Sequence, residues 1–328
     1  MAPGIRRGPR GSADLPRLRR SVPAVSEDEE EGTGPEGERG ERIAKWLARA
    51  GVASRRDAER LIAEGRVALN RRRVETPATF VRPGDIVAVD GRPVAPPERT
   101  RLFRYHKPPG LVTTHRDPQG RPTVFERLPP GLPRLVSVGR LDLTSEGLLL
   151  LTNDGALARR LELPSQGWLR RYRVRVYGPL DERDLRALSQ GVTIDGVAYG
   201  PIEAEVDSRR GLISWLTVSL REGKNREIRR VMEHLGLQVT RLIRVAYGPF
   251  QLGALPRGAV EEVSPKVMRE QLGVEIAPPP ARERRVLAAS PPEHPPPADA
   301  TARPRRPPRA RHAGEDRYPR GRRGPRRG

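Results

Sequence analysis

Apolar positions recur along this chain in two rhythms, flanked by stretches that show neither. Between residues 41 and 95, Ile43, Leu47 and Ala50 fall on one helical stripe. Ser54 followed by Asp57 is a helix-start signature, and Ala58, Leu61 and Ile62 supply that helix's buried face. Gly65 ends it. Val67 and Leu69 then alternate as a short strand. Pro83-Gly84-Asp85 makes a turn, and Ile86, Val87 and Val89 form a closing strand. Two short helices and a small sheet bury little surface, which marks a small docking module.

Residues 96–100 read as a Pro-rich linker, and a second unit spans 101–273. Its strand candidates are 134–138, 147–152, 172–177, 202–206, 213–220 and 240–245. Its helix candidates are 156–161, 182–189 and 226–235. The succession does not repeat βαβ, so the fold class is α+β, with a mixed, largely antiparallel sheet. Residues 1–40 and 274–328 are rich in Gly, Pro and charge and lack periodicity, so both are expected to be disordered tails.

Charge narrows the partner. The formal net charge is +21, and residues 301–328 hold eleven arginines against two acids. The tail therefore accounts for less than half of the surplus, and the folded part is itself basic. Such a surplus implies a polyanion. In the first unit Arg42, Lys45 and Arg49 share one helix stripe and Arg55, Arg56 and Arg60 cluster on the next, with few acids on those stripes. A solvated face is the plainer explanation of such runs, and RNA contact is the favoured one. There is no cysteine, and the five histidines do not pair at metal-ligand spacing, so no structural metal is expected. No apolar run is long enough to span a membrane and no secretory pattern opens the chain. A cytoplasmic monomer is the expectation.

The stretch Val138-Gly-Arg-Leu-Asp-Leu-Thr-Ser-Glu-Gly-Leu-Leu-Leu-Leu-Thr-Asn-Asp-Gly155 sets a polar loop between two buried strands. On its own, Asp142 is readily a turn residue bonding nearby backbone N–H groups. A carboxylate-pair glycosidase using Asp142 and Glu146 is also conceivable, but 4% aromatic content argues against a sugar cleft. Further on, Ile228, Val231, Met232 and Leu235 form an inward helix face, with Arg226, Arg230 and Glu233 turned outward and Arg229 at the border. Asn225 is the candidate N-cap. A border arginine can reach an acid in a neighbouring loop.

These motifs resemble the pseudouridine synthases of the RsuA/RluB family. Gly139-Arg-Leu-Asp142 and the Leu-rich run after it match that family's catalytic loop. Lys107-Pro-Pro-Gly110, Arg171-Tyr172-Arg-Val and Glu222-Gly-Lys-Asn-Arg-Glu-Ile-Arg-Arg match its other motifs, in order. Residues 42–85 resemble the alpha-L RNA-binding domain of the ribosomal protein S-four type. The resemblance implies an isomerase that turns a uridine of ribosomal RNA, most readily large-subunit 23S RNA, into pseudouridine, with no metal and no cofactor. It implies Asp142 as nucleophile, Tyr172 stacking on the base and Arg229 paired with Asp142. Lys107, Arg140, Lys224, Arg226 and Arg230 would join the first unit's cations in holding RNA. A small-subunit substrate, or a non-catalytic assembly factor on the same fold, are the alternatives.

Overall fold

The computed structural model describes residues 40–273 and the two-residue strand at 286–287. The two expected tails otherwise lie outside the described residues. The chain divides into two compact units, the boundary falling between Glu98 and Arg99.

The first unit contains β1 (Glu41–Arg42), α1 (Ile43–Arg49), α2 (Arg55–Ala63), β2 (Val67–Leu69), β3 (Arg72–Arg73), β4 (Phe80–Val81), β5 (Val87–Val89) and β6 (Arg92–Pro93). Ser54 caps α2 as expected, its hydroxyl accepting from the Asp57 N–H at 3.1 Å. The sheet runs β3-β2-β5-β6, with β1 paired to β4 apart from it. Ile43, Leu47, Ala58, Ile62, Val67 and Val87 close one small core.

The second unit contains β7 (Leu102–Lys107), β8 (Val136–Val138), β9 (Glu146–Thr152), α3 (Gly155–Glu162), β10 (Arg170–Tyr177), α4 (Glu182–Ala187), β11 (Val192–Ile194), β12 (Val197–Tyr199), β13 (Ile202–Arg210), β14 (Ile213–Leu220), α5 (Glu227–His234), β15 (Gln238–Tyr247), β16 (Phe250–Gln251), β17 (Val260–Glu262), α6 (Pro265–Leu272) and β18 (Val286–Leu287). One sheet runs β13-β14-β10-β15-β9-β7-β17-β18, with β8 also on β9 and β16 on β15. Every pairing in it is antiparallel except β9 with β15, so the α+β, largely antiparallel expectation holds. Strand β7 and helix α6 were not among the expected elements.

The sheet explains its own sequence. All seven residues of β9 are buried, because Leu148 and Leu150 pack into one core and Leu149 and Leu151 into another on the opposite face. In β10, Tyr172, Val174 and Val176 face inward while Arg171 and Arg173 face solvent. Ile228, Val231 and Met232 of α5 pack on that inner side. The parallel junction depends on Gly147, whose φ is +103°. A Cβ there would stand 2.3 Å from the Arg244 carbonyl oxygen, so only glycine lets β15 come this close.

Candidate active site

The loop 139–145 joins β8 to β9, and its shape is set from below. Lys107, the last residue of β7, is fully buried. Its Nζ donates to the carbonyl oxygens of Ser145 (2.8 Å), Pro108 (3.1 Å) and Asp142 (3.1 Å), with Leu143 at 3.4 Å. Burial pushes this ammonium down to about 8, opposed by the Asp142 and Glu146 carboxylates. Thr113 Oγ donates to the Leu141 carbonyl at 2.9 Å, and the Gly110 N–H donates to Leu143 O at 2.7 Å. From α3, Glu162 accepts the Gly139 N–H at 2.6 Å. A polar loop thus gains the rigidity of its scaffold.

The result is a cleft of about 890 Å³ in the second unit. Asp142 lines it, with its side chain one-third exposed. Tyr172 stands in the wall, 9% exposed, beside Leu220 and Leu242. Arg116, Arg140, Arg170, Lys224, Arg226 and Arg244 also line the cleft, against the carboxyls of Asp117, Asp142, Glu162 and Glu227. Cations prevail, which suits a polyanion. Two guanidinium groups, those of Arg170 and Arg244, lie over the Tyr247 ring, each 5.0 Å from its centre. Asp117 is clamped by Arg121 at 2.8 and 3.0 Å and by the Arg121 N–H, which holds its carboxyl down at about 2.

Several expectations need correction. Arg229 was expected to pair with Asp142. Instead, the contact within 4 Å is Arg226 Nη1 to Asp142 Oδ2, at 3.8 Å. Helix α5 begins at Glu227, one residue later than expected, so Arg226 sits at the N-cap in the left-handed region (φ +51°) with its side chain free of the helix face. Asn225 is not the cap. Arg229 is half-buried and donates to the Val239 carbonyl at 3.2 Å, while its Nε lacks a partner. Burial and nearby Arg226 lower its pKa, and Asp142 opposes them.

Lys107 was expected on the RNA surface and is enclosed within the protein. Lys224 is partly spent internally: it donates to the Ala198 carbonyl, meets Glu222 at 2.6 Å and lies over the Tyr199 ring. Arg140, Arg226 and Arg230 are exposed as expected. In the first unit the acids are not as scarce as the stripes suggest. Glu41 pairs with Lys45 and Arg49, Glu59 with Arg55, and Asp57 with Arg60. Among the described residues, Arg42 and Arg56 are exposed and carry no such pair. Glu41 escaped notice because it precedes the helix. Glu146 is buried against Arg241 (2.5 Å) and Arg257 (2.7 Å) and does not line the cleft, so it makes no carboxylate pair with Asp142 there. Arg116, Asp117, Arg170, Glu227 and Arg244 are cleft residues that motif reading missed. Among the described residues no group of three His, Cys, Asp or Glu side chains is placed to hold a metal ion. No helix among them is long and apolar enough to cross a membrane.

A cleft with a scaffolded acid and a cationic lining, on a sheet preceded by a small basic module, suits an enzyme acting on a nucleic acid. Comparison with known proteins makes that definite. The family model described as RNA pseudouridylate synthase matches residues 101–234, and the S4 domain model matches 41–87. A Rickettsia felis protein described as an uncharacterized RNA pseudouridine synthase is 47% identical over 230 residues, covering 70% of this chain and 100% of its own. Ribosomal large subunit pseudouridine synthase B of Salmonella typhi is 44% identical over 236 residues, covering 68% of this chain and 79% of its own. A crystal structure of a pseudouridylate synthase superposes with a TM-score of 0.50 at 25% identity, covering 70% of this chain and 99% of that one. The chain belongs to the RsuA/RluB family of RNA pseudouridine synthases and has the pseudouridine synthase fold behind an S4 domain. It is an isomerase.

Proposed function

We propose that this chain isomerises one specific uridine of ribosomal RNA, in the large-subunit 23S RNA, with Asp142 as the nucleophile. The observation that carries the reading is the loop itself. Asp142 is the partly exposed acid of a segment whose backbone carbonyls are gathered by the buried Lys107 ammonium, in a cleft lined by six cationic side chains. The 44% identity to a large-subunit synthase supports the choice of RNA.

In this reading the target uridine leaves its stack and enters the cleft, at a cost of about a few kcal/mol. Exposed Arg116 and Arg140, with the basic S4 domain, offset that cost through phosphate contacts. RNA binding therefore weakens steeply with salt. Tyr172 presents an aromatic face to the base. Asp142 attacks the uridine as the N1–C1′ bond breaks, the base turns, and C5 joins C1′ as the bond to Asp142 is released and its carboxylate restored. The C5 proton is lost and N1 gains one, so the reaction is balanced without an external reactant. Arg226 stands by the Asp142 carboxylate, and Arg229 adds its field from α5.

The test is site-resolved pseudouridine mapping of ribosomal RNA from cells lacking the protein, complemented with wild type or Asp142→Asn. Loss of one 23S mark, restored by wild type alone, is the expected result. A lost small-subunit mark would reassign the substrate. An unchanged map, or full rescue by Asp142→Asn, would replace catalysis with a binding role in ribosome assembly.

A further inference from the structure

Arg244 is a cation in the middle of the sheet with most of its donors unspent. On β15 it stands directly opposite Tyr172 of β10 on one side and Gly147 on the other, where the Asp142 loop enters β9. Residues directly opposite in a ladder send their side chains to the same face, and Arg244 and Tyr172 both line the cleft. The residue is 4% exposed. Its Nε donates to the Leu148 carbonyl at 2.8 Å, which orients the group. Its Nη2 is enclosed and without a hydrogen-bond partner.

No acid of the cleft neutralises it. Asp117 is held by Arg121, Asp142 meets Arg226, Glu162 accepts the Gly139 N–H and Glu227 accepts the Lys224 N–H. The other charged group over the Tyr247 ring is Arg170, which adds positive charge. A guanidinium buried this far is costly unless its N–H groups are met. The Leu148 carbonyl accounts for one of its three nitrogens. What meets the others must pass deep into the cleft, lie against Tyr172 and carry acceptor oxygens. An extruded nucleotide brings its base into a pocket, and uracil carries two ring carbonyls.

The reaction adds a reason for the charge. When the N1–C1′ bond breaks, its electron pair leaves with N1, and the detached ring spreads a negative charge over N1 and both carbonyl oxygens. The charge is cancelled when C5 bonds C1′, after which the C5 proton is lost and N1 gains one. A fixed cation with oriented donors acts most strongly on charge that develops only during the reaction. We propose that Arg244 is a further catalytic residue: its guanidinium hydrogen-bonds a carbonyl oxygen of the target uracil beside Tyr172 and stabilises the ring while it is detached from C1′. This rests on the reading of Asp142 as the nucleophile and Tyr172 as the wall that meets the base.

The experiment uses the full chain and the RNA whose uridine the mapping identifies, with uridine, 2-thiouridine or 4-thiouridine at that position. Sulfur accepts hydrogen bonds poorly, and its effect on the ring's own chemistry is common to all variants, so it divides out of a double-substitution cycle. Wild type, Arg244→Gln and Arg244→Lys are compared by single-turnover rate, RNA affinity and Tm. Arg244→Gln should slow turnover by about a hundredfold, with RNA affinity within about threefold of wild type. Arg244→Lys, which keeps the charge but not the planar fork, should recover part of that loss. With sulfur at one of the two positions and not the other, the Arg244→Gln penalty should shrink by about fivefold or more. An equal penalty on all three RNAs, a loss confined to affinity, or equal losses in the two variants would make Arg244 a strut for Leu148 and overturn the proposal. Should Arg244→Gln fail to fold, Arg244→Lys carries the same cycle, and an equal penalty there overturns it too. Wild-type turnover with equal penalties leaves the catalytic reading standing and removes the role of Arg244 alone; absence of wild-type turnover removes both.

Discussion

Replacing Lys107 with methionine separates scaffold from surface. In the folded chain the ammonium serves four carbonyls, but two of them have other donors: Asp142 O accepts the Ser145 N–H at 3.1 Å and Leu143 O accepts the Gly110 N–H. The substitution therefore strands chiefly Pro108 O and Ser145 O, at about 1–3 kcal/mol each. Against this, it removes a buried charge whose pKa falls from 10.5 to about 8, worth about 3 kcal/mol. That burial penalty is full below about 8 and gone above 10.5, so it opposes folding at neutral pH. The two effects largely cancel. Lys107→Met should lower stability by no more than about 3 kcal/mol, a fall in Tm of roughly 10 °C or less. Turnover is another matter, because a displacement of about 1 Å in a reacting group costs about a hundredfold. Calorimetry, single-turnover pseudouridine formation and RNA affinity across a salt series would be measured together. The expected pattern is near-native Tm, a rate down by about a hundredfold, and an unchanged salt slope. A slope reduced by about one phosphate contact would mean that Lys107 reaches RNA, and a wild-type rate would mean that the loop does not need it. Either result refutes the scaffold argument.

Two further substitutions probe neighbouring links. Gly147→Ala places a Cβ 2.3 Å from the Arg244 carbonyl oxygen at a φ of +103°, so backbone must move on one side of the parallel β9–β15 junction. A loss of about 3 kcal/mol or more is expected by denaturant titration, and a loss under about 1 kcal/mol would show that the junction yields easily. Arg226→Gln removes the cation that contacts the Asp142 carboxylate and should slow single turnover by about tenfold, more than Arg229→Gln does; the reverse order would assign the pairing role to Arg229 instead.

Much of this architecture is legible in the sequence where one physical cause acts alone. The leucine run of β9 is uninterrupted because both faces of that strand meet a core, and the α5 stripe is clean because one side packs under the sheet. The Ser54 cap is local chemistry and appears as read. What escaped depends on distance along the chain. Glu41 neutralises cations of α1 from outside its helical stripe, and Arg226 meets Asp142 because the helix starts a residue late. Helix α6 has its own signature, Ser264 as cap and Pro265 in the first turn, but only eight residues to show a face.

Charge misleads most where it is counted without strand phase. The RNA role expected of Lys107 rests on its place in a family motif and on its compact positive charge, with no regard to strand phase. Yet Phe103, Tyr105 and Lys107 lie two apart on β7, and the first two are large and apolar, so Lys107 must point where they point. The same holds on β15, where Leu242, Arg244 and Ala246 share the buried phase, and Arg244 spends its Nε on the Leu148 carbonyl of the neighbouring strand. A cation in phase with a core faces either a carboxylate or a set of backbone carbonyls, since a buried charge left unserved is too costly to keep. Where no carboxylate is in contact, as for Lys107 and Arg244, the acceptors are backbone carbonyls that need holding: in one case those of the loop carrying Asp142, in the other one in the strand that follows it. Alternation phase, applied to charged residues as strictly as to apolar ones, moves Lys107 from the RNA-facing surface to the support of the active site and finds Arg244 beside it.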